Sequence, residues 1–278
     1  MQKVTLLFYF FSLSGWMWGQ YDLSALRTMY VNGQVQQVLE QIGETDDPEL
    51  LFLQADCEHK LGHFEAAAAL YQLSLNSGCT NALIYLNYGI CLHSMGEYEL
   101  SDDFLYKAGT QLPQEKKIPY YRGANAYMIG DLPSAKSHLN EAVVIDRNYV
   151  DALYLLAACA AEVGDFNTAR NYFNRCEHVP ELRDRVRLNQ ANLLLDDKDY
   201  NTAIEAYSQL LESTDKQIVR EALYFRGVCR FYLRDSKGAC EDWTVSARMG
   251  DEDARQHLID QCEQGKKLKP RKSSYMQF

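Results

Sequence analysis

Positive charge is scarce in this sequence. Lys and Arg number 28 against 38 Asp and Glu, a net charge of −10 over 278 residues. Phosphate backbones are held by basic surfaces, so the body of the chain is not a nucleic-acid binder. Catalytic signatures are missing too. There is no HExxH, no GxSxG, and no glycine-rich GxxxxGKS or GxGxxG loop to cradle phosphate. The six histidines are scattered. The one group with ligand-like spacing, Cys57, His59 and His63, lacks the second pair that a zinc site needs, and Gly62 ends the helix between the two histidines. Acidic pairs such as Asp102–Asp103 and Asp196–Asp197 read as solvated charge at helix ends. The expectation is a protein without enzymatic activity, cofactor, metal or small-molecule substrate. Proline is sparse at 6, whereas Tyr stands at 19 and Cys at 8. With 47% hydrophobic and 24% charged residues, the chain is neither wholly disordered nor a multi-span membrane protein.

The charge is unevenly placed. All the acids lie between residues 20 and 263, and the end of the chain from Gln264 carries Lys266, Lys267, Lys269, Arg271 and Lys272 with no acid. The start is different again. Met1 to Lys3 are followed by an apolar run from Val4 to Trp18, with no charge before Asp22. That run is short for a membrane span, which takes about 20 residues. A basic start, a short apolar run and small residues after it read as a secretory signal peptide over residues 1–19, an uncleaved anchor being the lesser alternative. The first cysteine is Cys57, so a lipidated N-terminal cysteine does not fit. The expected location is the periplasm or outside the cell.

What the sequence has in abundance is repetition. Gly62, Gly96, Gly130, Gly164, Lys198 and Arg234 stand at intervals of 34, 34, 34, 34 and 36. A column of small residues runs in step: Ala55, Gly89, Gly123, Ala157, Ala191 and Gly227. So does a column of mostly alanine (Ala67, Ser101, Ala135, Ala169, Ala203, Ala239) and one of large apolar residues (Tyr71, Leu105, Leu139, Phe173, Tyr207, Trp243). Each unit reads as two antiparallel helices. Apolar residues fall at helical spacing on either side of a turn whose glycine can take the left-handed conformation. The small column lets the helices approach and the large column fills the space between them. One such hairpin cannot bury its apolar face alone, so units must stack.

These columns, and stretches such as ADCEHKLGHFEAAAALYQLSL and AACAAEVGDFNTARNYFNRC, resemble the tetratricopeptide repeat, a 34-residue helix–turn–helix. The resemblance implies an all-α fold, a right-handed α-solenoid of about seven stacked hairpins with a C-terminal capping helix. It covers six units over residues 48–251. A degenerate first repeat or cap spans 20–47, a capping helix 252–264 starts at Asp251 or Asp253, and a flexible basic tail fills 265–278. Lys198 and Arg234 in the turn column, and Pro133 and Ser236 at the start of second helices, depart from the family pattern and weaken turns locally.

Cys57, Cys91, Cys159 and Cys229 all fall two residues after the small column, so each packs as a small buried hydrophobe. Cys240 begins the last second helix and Cys262 ends the antiparallel capping helix, so these two ends should meet, and an exported protein permits the bond. The stretch GACEDWTVSARMGDEDARQHLIDQC also resembles the closing unit of tetratricopeptide or Sel1-like chains, which adds to this candidate disulfide.

In this family the first helices line an inner face that commonly holds a peptide or a partner's helix. Projecting those helices gives Phe52, Asn87, Tyr120, Tyr121, Tyr127 and Tyr154 as candidate groove residues. Asn189, Asn192, Tyr224, Phe225, Phe231 and Tyr232 complete the set. Aromatic rings supply large contact area at small entropic cost. The family's clamp for a C-terminal carboxylate is broken here: Asn87 and Lys117 match it, but Phe52, Asp56 and Tyr121 do not. The expected function is a non-enzymatic protein–protein interaction scaffold of the bacterial envelope, binding a partner peptide or helix in this groove. The alternatives are a structural subunit of an envelope or secretion complex using its convex face, and an accessory subunit of an envelope enzyme. The basic tail admits weak contact with anionic membrane.

Overall fold

The computed structural model describes residues 22–265, 270–272 and 275. The expected signal peptide lies outside the described residues. Among the described residues there are fifteen α-helices and no strands. The chain divides into two compact units, one ending at Ile84 and one beginning at Tyr85.

The first unit holds α1 (Leu23–Val31), α2 (Val35–Ile42), α3 (Pro48–Lys60) and α4 (Phe64–Asn76). The side chains of Asp22 and Asp47 cap α1 and α3, each accepting two backbone N–H groups that the first turn leaves unpaired. Tyr71 and Ala67 of α4 and Ala55 and Cys57 of α3 are all fully buried, and the two helices pack together. The Tyr71 hydroxyl donates to Asp56 over 2.7 Å.

The second unit begins within α5 (Leu83–Ser94), which pairs with α6 (Tyr98–Gln111). Three further hairpins follow: α7 (Lys117–Met128) with α8 (Leu132–Ile145), α9 (Val150–Glu162) with α10 (Phe166–Cys176), and α11 (Arg183–Asp196) with α12 (Tyr200–Leu210). The last pair is α13 (Lys216–Tyr232) and α14 (Ser236–Arg248), closed by α15 (Glu252–His257), which continues as a π-helical turn over Leu258–Glu263. Each second helix also packs on the first helix of the next hairpin, so α8 meets α9 and α12 meets α13. First helices touch along the stack, α7 with α9 and α11 with α13, and so build a common face.

The repeated columns explain the local geometry. At the turns, Gly62, Gly96, Gly130 and Gly164 have φ between 77° and 83°. Lys198 and Arg234 hold the same left-handed turn at φ 64° and 66°, although a Cβ disfavours it. The following aspartate (Asp131, Asp165, Asp199 or Asp235) caps the second helix with its side chain. Where the small column is glycine, the large residue sits directly on it. A Cβ on Gly89 or Gly123 would lie 2.7 Å from Leu105 or Leu139, and one on Gly227 would lie 2.6 Å from Trp243 Nε1. That indole N–H donates to the Tyr224 carbonyl over 3.1 Å. The closing hairpin adds a nearly buried ion pair, Arg226 gripping both carboxylate oxygens of Asp242 at 3.0 and 2.7 Å.

Cys57, Cys91, Cys159 and Cys229 are fully buried. A disulfide joins Cys240 to Cys262, with the Cα atoms 6.1 Å apart.

Candidate partner-binding face

The face made by α9, α11 and α13 is covered in part by the end of the chain itself. Tyr275 is 1% exposed and belongs to the same buried cluster as Tyr154, Ala158 and Leu193. Asn189 on α11 donates from its amide nitrogen to the Tyr275 carbonyl at 3.2 Å and to the Tyr154 hydroxyl at 2.6 Å. The Tyr275 hydroxyl donates to Asp196 at the end of α11. Burial, reinforced by that bond and the Asp196 charge, pushes the Tyr275 phenol far above its ordinary range, so it stays a donor.

Four residues upstream, Arg271 occupies a second position on the same face. Its guanidinium carbon lies 3.9 Å from the centre of the Tyr224 ring and 5.2 Å from that of Phe225. Its nitrogens donate to Asp251 at 3.0 and 3.1 Å and to Asp253 at 2.8 Å. The Asp251 side chain is only 2% exposed, and it also caps α15. A planar fork that stacks on a ring while spanning a carboxylate is arginine chemistry, which a lysine cannot reproduce. The Arg271 backbone N–H donates to the Tyr224 hydroxyl over 3.0 Å. That hydroxyl also faces His257 Nε2 at 3.1 Å. Burial raises the Tyr224 phenol to about 12 even though Arg271 pulls the other way. Between the two anchors, Lys272 reaches Glu162 at the end of α9 over 2.5 Å.

The expectation of a solvated tail over residues 265–278 therefore does not hold at 270–272 and 275. Acids of the body supply partners for Arg271 and Lys272. Asp196, expected to be simple solvated charge, accepts from the Tyr275 hydroxyl.

The sequence candidates do not share one surface. Tyr154, Asn189, Tyr224 and Phe225 meet at this face, as described. Tyr127 of α7 is half-buried, and the Glu162 charge helps burial raise its phenol, so it borders the same region. Tyr120 and Tyr121 are half-buried and lie edge to face at 4.9 Å, with Tyr149 at 5.2 Å from Tyr120 and His93 at 5.3 Å from Tyr121. They seal successive hairpins. Three others lie inside hairpins. Phe52 is buried 6.1 Å from Tyr71. Asn192 is fully buried and accepts from the Tyr207 hydroxyl at 2.7 Å. Phe231 packs 5.8 Å from Trp243. Tyr232 stacks on Tyr200 at 5.0 Å, at the turn end of α13. Asn87 is half-buried on α5. Projection of a single helix puts any residue that points away from its own partner on the inner face. It cannot see the large residue of the second helix, which reaches over to cover Phe52, Asn192 and Phe231.

The acidic members of the face escaped the sequence reading. Glu162, Asp196, Asp251 and Asp253 fall at helix ends in different units, and only their common charge against a basic tail hints at a shared role. Elsewhere, His63 is hydrogen-bonded to Glu58 at 2.7 Å and Cys57 is buried. Among the described residues, no group of three or more His, Cys, Asp or Glu could hold a metal ion, and no helix is long and apolar enough to cross a membrane.

Residues 188–243 match the model of the tetratricopeptide repeat family. No curated protein matches the chain. Among solved structures, the C-terminal part of a TPR repeat-containing protein from Cytophaga hutchinsonii is similar, with a TM-score of 0.65 at 15% identity, over 85% of this chain and 99% of that one. A tetratricopeptide repeat protein from Parabacteroides merdae gives 0.62 at 15% identity, over 85% and 96%. YrrB, described as a TPR protein with an unusual peptide-binding site, gives 0.54 at 19% identity, over 69% and 98%. The all-helical fold, in consecutive packed pairs, is that of tetratricopeptide solenoids.

Proposed function

From tetratricopeptide hairpins whose first helices build one aromatic and acidic face, we infer a non-enzymatic scaffold of the bacterial cell envelope that holds a segment of a partner protein on that face. The observation that carries this reading is the seating of Arg271 and Tyr275. The face formed by α9, α11 and α13 accepts a piece of chain, bonding its backbone at Arg271 and Tyr275 and burying the Tyr275 ring. Binding energy there comes from ring burial and charge-assisted hydrogen bonds, with no covalent step. The fold is one commonly used for protein interaction, and YrrB shares it at low identity.

The envelope location rests on the leader-like residues 1–19 and on the disulfide between Cys240 and Cys262, a bond favoured in oxidising compartments. A cellular fractionation with a C-terminal tag tests it. Recovery in the cytosol with both thiols free contradicts it.

The binding role is tested by affinity capture from envelope extract, quantified by mass spectrometry. One bait is the full chain; the other carries Glu162→Lys and Asp196→Lys, which change a partly buried and an exposed acid of the face at helix ends, away from the hairpin interiors. A partner lost from the second bait supports the reading. The same partners at the same yield on both baits would place binding elsewhere on the molecule.

A further inference from the structure

We propose that this face is specific for a segment carrying an arginine and, four residues on, a tyrosine, and that in the free protein its own Arg271 and Tyr275 fill the site and compete with the partner. The proposal rests on the scaffold reading above and adds to it the chemistry of the partner and the way access is controlled.

The site holds the segment at two points, Arg271 and Tyr275. At one end Asp251 spans both terminal nitrogens of a guanidinium, Asp253 takes one of them as well, and the guanidinium carbon lies 3.9 Å from the centre of the Tyr224 ring. A nearly buried carboxylate is costly unless a cation meets it, so Asp251 demands a positive partner at this point. The rings of Tyr224 and Phe225 make arginine the better cation, since a guanidinium stacks and an ammonium does not. At the other end a tyrosine ring is fully enclosed, with its hydroxyl on Asp196. A phenylalanine there would forgo the hydrogen bond to Asp196. Tyr224 hydroxyl and Asn189 amide bond the backbone of the segment at residues 271 and 275, which fixes its direction and register. Glu162 adds a second cation preference in between.

These contacts are also suited to exchange. Lys272 is mostly exposed and Arg271 about a third exposed, so their ion pairs are open to screening by salt. The segment is tethered to the same chain, which gives it an effective concentration of roughly millimolar order. A partner of the same chemistry in trans must overcome that advantage, and loss of the tether contacts opens the site.

The test uses the full chain and a fluorescein-labelled peptide with the sequence of residues 268–278, read by anisotropy. Arg271→Ala with Tyr275→Ala releases the segment. A second release variant, Arg271→Glu with Lys272→Glu, leaves the tyrosine untouched and guards against a packing defect in the first. Both released chains are expected to bind the peptide at least about tenfold more tightly than wild type. Replacing arginine by lysine, or tyrosine by phenylalanine, in the peptide should weaken binding, and Asp253→Asn with Glu162→Gln in the released chain should weaken it as well. The proposal is overturned if neither folded release variant binds the peptide, or if wild type binds it equally well. Peptide failure alongside a groove-dependent partner in the capture experiment would sink this inference and leave the scaffold reading standing. Peptide binding with no groove-dependent partner would sink the scaffold reading and, with it, the competition with a partner, leaving only the recognition of the arginine and tyrosine.

Discussion

The side-chain amide of Asn189 donates both to the hydroxyl of Tyr154 and to the backbone carbonyl of Tyr275, a residue 86 positions further along the chain. One buried side chain thus ties the end of the chain to two adjacent hairpins. A buried amide left with an unused donor costs about 1–3 kcal/mol, so Asn189 favours the docked segment over an empty face.

The docking is visible to a protease. Trypsin cleaves after Arg271 and Lys272, and both sites lie within the seated stretch. In the native protein, cleavage after these two residues should be slow. Tyr275→Ala should speed it severalfold, and Asn189→Ala to a smaller extent, with the circular dichroism of the hairpins unchanged. Equal rates in all three chains would show that the segment is not held.

Gly227 tests the close approach of α13 and α14. A methyl group there would lie 2.6 Å from Trp243 Nε1, on a ring that is fully buried and hydrogen-bonded to Tyr224. Gly227→Ala should cost about 1–3 kcal/mol in urea unfolding, the usual range for overpacking a tight core. Gly89→Ala meets the branched end of Leu105 and should cost less, because that side chain can rotate where an indole cannot.

Much of the fold can be read from four columns of the sequence, because each column does one physical job in every unit. The turn residues set the left-handed corner, the small and large columns mesh, and in four units the aspartate after the corner caps the next helix. Even Lys198 and Arg234 keep the corner, since their neighbours fix it. The binding face is less legible. Tyr154, Asn189, Tyr224 and Phe225 are identified by helical projection, but Phe52, Asn192 and Phe231 satisfy the same projection and are covered by neighbouring side chains. The seating of Arg271 and Tyr275 has no periodic signal at all. It depends on acids that only the stacking of three hairpins brings together.

Lys198 and Arg234 store a small amount of backbone strain, since a side chain in the left-handed region costs roughly 1–2 kcal/mol against its usual conformation. Glycine removes that cost and loses part of the gain through greater freedom of the unfolded chain. Lys198→Gly and Arg234→Gly should each stabilise the protein, by up to about 1 kcal/mol, as a rise in the urea midpoint at constant slope. A fall would mean that these side chains make contacts that outweigh the turn.

The cysteines should divide into two classes. Cys57, Cys159 and Cys229 have thiols pushed up to about 12 by burial, and Cys176 to about 11. Thiolate is the reactive form, so these groups should ignore an alkylating reagent at pH 8 in the folded protein. Denaturation without reductant should expose six thiols, and reduction should release two more from Cys240 and Cys262. Rapid labelling of the native chain would contradict the packing of the repeat columns.

The claim at the centre of this account is that the face of α9, α11 and α13 is a ligand site already holding its own segment. The most direct measurement places a benzophenone on that segment, as Tyr275→p-benzoylphenylalanine in the full chain, and maps its photo-cross-links by mass spectrometry in dilute solution. The account predicts cross-links within one molecule, to α9 and α11 near Tyr154 and Asn189, suppressed when Arg271→Glu and Lys272→Glu are added. Cross-links spread over the outer helices α10 and α12, or none within the chain, would contradict it.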